Sequence, residues 1–185
     1  MFDIIITDKL ISYCRFLLYE TDLGSGAPHR AGNSDQQATG LIGQFAIALV
    51  MKHPIPTALG NDFDGGYDIQ HNGMNIDVKT MARSVTMQSH YVHNFYAAQQ
   101  SLAADSYIFC SLRQCDRRLT VCGWLDKEHL IRYAYLYLKG TIRTRDDGST
   151  FEVKHDLYEV KQSYLNPLDH KSELMELGFA TKEIK

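Results

Sequence analysis

Asp68, followed nine residues later by the triplet Asp77-Val78-Lys79, supplies two carboxylates and an ammonium within one short stretch of chain. Side chains alternate across a strand, so Asp77 and Lys79 share one face, a single pleat apart. Asn72-Gly73 lies between two short runs and is a strong tight-turn signal. Folding the chain back at that turn brings Asp68 toward the Asp77 end of the partner strand. Two carboxylates beside an ammonium suit phosphodiester hydrolysis. Magnesium takes hard oxygen ligands, one or two of them carboxylates, with water and substrate phosphate completing its shell. A metal held there would acidify a bound water, and a neighbouring lysine could orient or deprotonate that water. A lone Asp-x-Lys is also a common solvated pair worth only about 0–1 kcal/mol. The turn and the upstream aspartate distinguish this one.

The surrounding elements must hold these groups in place. Thr7 or Asp8 is positioned to cap a first helix, with Leu10, Ile11, Cys14, Leu17 and Leu18 as its apolar stripe. Residues 21–33 are rich in Gly and small polar residues and read as a loop. Ser34 or Asp35 caps a second helix running to Lys52. Its face includes Leu41, Phe45, Ala48 and Leu49, and Gly40 and Gly43 suit close packing on a sheet. Pro54 and Pro56 end it. After the Asp77 strand, a third helix is predicted from about Asn94 to Ala104. Two β-rich runs, 106–112 and 119–125, form a hairpin around the polar segment 113–118. Asp126 caps a predicted helix reaching Tyr137, and 139–150 reads as loop. Tyr158-Glu159-Val160 reads as a short strand, and Asp169 caps a terminal helix.

The chain has 185 residues, 44% hydrophobic and 22% charged, with a formal net charge of -3. That length can bury a core within one domain. No run approaches the length of a membrane span, and the start lacks a basic secretory leader, so a cytoplasmic location is expected. A net negative chain carries no global attraction for a polyanion, so any nucleic-acid contact must come from local patches. The four cysteines show no Cys-x-x-Cys spacing, and Cys110 and Cys122 sit in apolar runs. They read as small buried hydrophobes.

Asp68 and Asp77-Val78-Lys79, with the acidic, Gly-containing lead-in Asp62-Phe63-Asp64-Gly65-Gly66-Tyr67, resemble the signature of the PD-(D/E)XK nuclease superfamily. The resemblance implies an α/β fold, an α+β arrangement around a mixed sheet. Its restriction-endonuclease-like core is a helix, three strands, a helix and a strand. It covers roughly residues 34–125 of a single domain over 1–185, with helical additions at both ends and a C-terminal extension over about 126–185. It also implies a DNA endonuclease using magnesium, with manganese able to substitute. Asp68, Asp77 and the Val78 carbonyl would be metal ligands and Lys79 would activate the water. Many members carry a glutamate on the preceding helix. The matching position here is Gln44, whose amide can ligate a metal or hold its water but brings no charge. Asp64 is the reserve carboxylate if the hairpin register differs.

Two basic clusters could meet phosphate: Arg113, Arg117 and Arg118 on the second hairpin, and Lys139, Arg143 and Arg145 beside Tyr133, Tyr135 and Tyr137. The expected partner is DNA, without membrane association; a homodimer is left open. Two other readings stand beside the nuclease: a non-catalytic nucleic-acid-binding module that kept the scaffold, and a small-molecule or protein-interaction domain in which Asp77 and Lys79 form a structural pair.

Overall fold

The computed structural model describes residues 1–20, 34–57, 59, 66–101, 103–144 and 148–178. The predicted loop at 21–33, the lead-in aspartates Asp62 and Asp64, and Arg145 lie outside the described residues.

In chain order the elements are β1 (Phe2–Ile5), α1 (Asp8–Glu20), α2 (Ser34–Val50), β2 (Ile69–His71), β3 (Met74–Arg83), β4 (Val92–Tyr96), β5 (Ser106–Arg113), β6 (Arg118–Asp126), α3 (Lys127–Tyr133), β7 (Tyr135–Tyr137), β8 (Ile142–Thr144), β9 (Thr150–Glu152), β10 (Leu157–Lys161) and α4 (Lys171–Glu176). The architecture is mixed α/β. A five-stranded mixed sheet has the order β1-β6-β5-β3-β2. Every neighbouring pair is antiparallel except β3 and β5, which run parallel. A three-stranded antiparallel sheet, β4-β10-β7, and a β8-β9 hairpin complete the strands. Among the described residues, no helix is long and apolar enough to cross a membrane.

Local chemistry accounts for most boundaries. Thr7 caps α1, its hydroxyl accepting from the Leu10 N–H at 3.2 Å. Asp126 caps α3 by accepting from the His129 N–H at 2.8 Å. The Asn72-Gly73 turn forms as expected, with both residues at positive φ, 50° and 79°. Its hairpin pairs Ile69 with Ile76 and His71 with Met74.

At several places the structure differs from the sequence reading. The helix expected over Asn94–Ala104 is instead β4 followed by a 3-10 turn over Ala97–Ser101. The helix expected to reach Tyr137 stops at Tyr133, and Tyr135–Tyr137 becomes a strand. The segment after Met1, assigned no element from sequence, is β1, on the edge of the main sheet. The terminal helix is capped by His170 rather than Asp169.

The main sheet carries a different core on each side. On one side α1 and α2 pack Leu10, Cys14, Leu17, Ile42, Phe45 and Ile47 against Ile76, Val78, Ile108 and Val121. The contact is close at Gly43: a Cβ there would fall 1.8 Å from the Thr80 hydroxyl oxygen, so only glycine fits. On the other side Phe95, Tyr107, Phe109, Leu125, Leu130 and Val160 form a second cluster. The small sheet β4-β10-β7 contributes Phe95 and Val160 to it. A register shift in the β5–β6 ladder at Phe109/Cys110 admits Cys122 as an extra residue. Cys14, Cys110 and Cys122 are all buried and unpaired, as the apolar runs suggested.

Candidate functional site

The candidate site lies on β3, with β2 and β5 on either side. Strand alternation turns Ile76, Val78 and Thr80 toward the helices. Asp77 and Lys79 therefore turn the other way, beside Tyr107 and Phe109, their partners in the parallel ladder. Lys79 Nζ lies 2.7 Å from Asp77 Oδ2, and the two side chains are only 15% and 8% exposed. A pair this dry is bound more tightly than a surface pair, and removing one partner alone strands the other charge.

Tyr107 is the residue that sequence reasoning passed over. It is buried beside Asp77, and burial, reinforced by the Asp77 charge, pushes its phenol up to about 12. It is a neutral hydroxyl at the edge of the carboxylate–ammonium pair. The sequence carries no local signal for it, because its place beside Asp77 depends on β5 pairing with β3.

The hairpin brings Asp68 to the same place from the other edge. The β2–β3 ladder stops at Ile69. Beyond it the Asp68 N–H donates to the Ile76 carbonyl at 2.9 Å, and the Asp68 carboxylate accepts from the Val78 N–H at 2.7 Å. The N–H and C=O of a strand residue point to the same edge, so the Val78 carbonyl faces the Asp68 side of β3. Asp68, Asp77, Val78 and Lys79 are thus gathered within one turn of strand. Gln44 follows Gly43 on α2 and is half-buried on the Thr80 side of the sheet. Asp77 and Lys79 face the opposite side, so the fold does not bring Gln44 into contact with them. Among the described residues, no group of three or more His, Cys, Asp or Glu side chains gathers closely enough to hold a metal ion by itself.

The hairpin tip is anchored by residues not singled out from sequence. His71 Nε2 lies 2.9 Å from the Met175 carbonyl, so that nitrogen carries the proton. His71 Nδ1 then accepts from His53 Nε2–H at 2.8 Å. The Asn72 amide donates to the Leu177 carbonyl at 2.8 Å. These bonds fasten the turn to the end of α2 and to α4. No periodicity signals them, because the partners are about a hundred residues apart.

The basic clusters are largely neutralised at home. Arg113 is bound to Asp116 and Thr86. Arg117 pairs with Asp8 at 2.8 Å, and Arg118 pairs with Asp3 at 2.6 Å and with Asp116 at 3.3 Å. These links also tie the β5–β6 turn to β1 and α1. Arg143 pairs with Glu159 and lies 4.0 Å over the Tyr137 ring. An apolar groove lined by Ile4, Leu10, Ala46, Leu49, Val50 and Met175 opens on the helical side and includes none of the candidate residues.

No family model, no curated protein and no solved structure matches this chain.

Proposed function

We propose that this chain is a magnesium-dependent deoxyribonuclease of the PD-(D/E)XK type, cutting phosphodiester bonds in DNA within the cytoplasm. The observation that carries the reading is the enclosed Asp77–Lys79 pair, one pleat apart on β3, with Asp68 hydrogen-bonded to the intervening Val78 amide. The donor set fits magnesium. Two carboxylates and a backbone carbonyl are the hard oxygen donors that ion takes, Asp68 and the Val78 carbonyl from the β3 edge and Asp77 from the adjoining face of the strand. Asp68, Asp77 and the Val78 carbonyl would hold it, with Gln44 supporting its water from the helical side. When bound, the ion would supply charge neutralisation at the phosphorus and a water of lowered pKa. Lys79 would fix the attacking water, and Asp77 would keep the ammonium aimed. Manganese would substitute. The restriction-endonuclease-like core belongs to this same proposal: α2 would be its first helix and the β2–β3 hairpin its catalytic strands, with β5 and β6 beside them, while β4 and a 3-10 turn stand where its second helix was expected.

The test is cleavage of supercoiled plasmid by purified protein with magnesium, manganese or chelator. Asp77→Asn and Lys79→Ala are expected to lose about three orders of magnitude in rate or more while remaining folded by circular dichroism. Metal-independent cleavage, or wild-type rates in both folded variants, refutes the assignment.

One observation favours a second reading. Asp77 is 5% exposed, and its carboxylate already serves Lys79. On that reading the pair is an internal strut and the chain binds rather than cuts. Binding of DNA in magnesium without any cleavage would select it.

A further inference from the structure

The small sheet has one face in the second core and one face turned outward. In an antiparallel ladder, directly opposed residues share a face. Tyr137, Leu157 and Tyr96 form one row across the three strands, and Tyr135, Glu159 and Asn94 form the next. The alternate residues Phe95 and Tyr158 stack on each other at 5.1 Å and face the core. The outer face therefore carries three tyrosines, Tyr135 and Tyr137 on β7 and Tyr96 on β4. Tyr135 is 65% exposed, and its ring lies 4.5 Å from that of Tyr137.

Tyr135 leaves most of its ring in water, while Tyr137 and Tyr96 are half-buried beside it. The electrostatics say what would cover them. The Arg143 guanidinium carbon lies 4.0 Å from the centre of the Tyr137 ring. Arg143 neutralises Glu159, the acid of the two rows. Lys139 and Arg132 are exposed nearby along the chain, with no acidic partner among the described residues. A ring for stacking, with guanidinium and ammonium groups for phosphate beside it, matches an unpaired nucleotide strand. A duplex keeps its base faces stacked on one another and could not use the rings.

We infer that the outer face of β4-β10-β7 is a stacking platform for single-stranded nucleic acid, with Tyr135 and Tyr137 as the base-contacting rings. As a statement about substrate this rests on the nuclease reading; as a statement about binding it does not.

The test is fluorescence anisotropy at low salt in chelator, which separates binding from cleavage. The probes are labelled oligo-dT and oligo-rU of about 12 nucleotides, within the usual site size of such surfaces, and a duplex of equal length. The expected result is single strands bound at least about tenfold more tightly than duplex, with Tyr135→Ala/Tyr137→Ala losing about tenfold or more. Tyr135→Phe/Tyr137→Phe keeps the rings and should stay within about twofold of wild type. The dT and rU arms identify which sugar is preferred. The proposal is overturned if duplex binds as tightly, or if the alanine pair binds as wild type. It is equally overturned if the alanine pair abolishes self-association in gel filtration and leaves nucleotide affinity unchanged, since the face would then be a protein contact; Leu138 and Ile142, both exposed, lie close by in sequence. Platform binding with no Asp77-dependent cleavage would discard the nuclease and keep the platform. The opposite outcome would discard the platform alone.

Discussion

The two sides of the main sheet differ in kind. The helical side is dry: aliphatic side chains, Phe45 and a glycine contact close α1 and α2 onto β3. The side under β4-β10-β7 holds the Asp77–Lys79 pair, the neutral Tyr107 phenol and a buried polar chain. In that chain His93 Nε2 lies 2.7 Å from Gln162 Oε1, and the Gln162 amide donates to the Cys122 carbonyl at 2.7 Å. His93 is wholly enclosed, and its Nδ1 has no partner. A fold that needed only stability would fill both sides alike, because buried polar groups cost free energy unless fully satisfied. The contrast is one of polarity: one side packs mainly apolar groups against helices, and the other encloses charged and polar groups.

The largest expected break in that contrast is at Asp77. Asp77→Ala leaves the Lys79 ammonium enclosed without a counter-charge, at a cost of about 3–5 kcal/mol. Replacing both by Asp77→Leu/Lys79→Met should recover most of it, and chemical denaturation of the three proteins measures the difference. A double variant as unstable as Asp77→Ala would mean that the loss is one of packing rather than of charge.

Next in size is a pH effect on the same side. Burial pulls His93 down to about 4 from an ordinary 6.5. The folded state therefore resists a proton that the unfolded chain accepts. The stabilisation is complete above about pH 6.5 and is lost as pH falls toward 4, by about 3 kcal/mol in all. Melting temperature should fall over that window, and His93→Gln should flatten the fall. An equal slope in the variant would assign the acid sensitivity to another group.

On the dry side the expected effect is smaller and purely steric. Gly43→Ala drives a methyl into Thr80 and should cost about 1–3 kcal/mol. Thr80→Ala in the same protein should relieve part of it, so that the two costs do not add. Additive losses would show that α2 shifts away from β3 rather than pressing on it. Least of all, Gly73→Ala at φ 79° should cost about 1 kcal/mol, by straining the turn while leaving both sides packed.

What could be read from the sequence divides along the same line. The Asn72-Gly73 hairpin, the caps at Thr7 and Asp126 and the β5–β6 pair follow from neighbours in the chain, and all are present. The helical side was legible because the apolar spacing of α1 and α2 is local. The other side was not. β4 reads as the start of a helix until β10 pairs with it from some sixty residues away, Val92 opposite Lys161. Tyr133, Tyr135 and Tyr137 alternate, which is strand spacing, but the Asp126 cap draws the reading toward a longer helix. Asp68, Asp77, Val78 and Lys79 could be named from type and spacing. Tyr107 and the His53–His71 anchor could not, because each depends on which strands and helices become neighbours.

The parallel pairing of β3 with β5 has a kinetic consequence. Two parallel strands cannot be joined by a turn; the chain must cross back before they can meet. Here the crossing segment runs from Ser84 through β4 to Asp105, and β4 itself waits for β10. Each of these closures spends chain entropy before any contact repays it. The β2–β3 hairpin can close on its own, so Asp68 meets Val78 early. The enclosure of Asp77 and Lys79 is expected later, because it needs β5 beside β3 and β10 beside β4. A chain caught part-way would hold the pair open to water, and its final slow refolding phase would be the one that hides Lys79 from amine-modifying reagents.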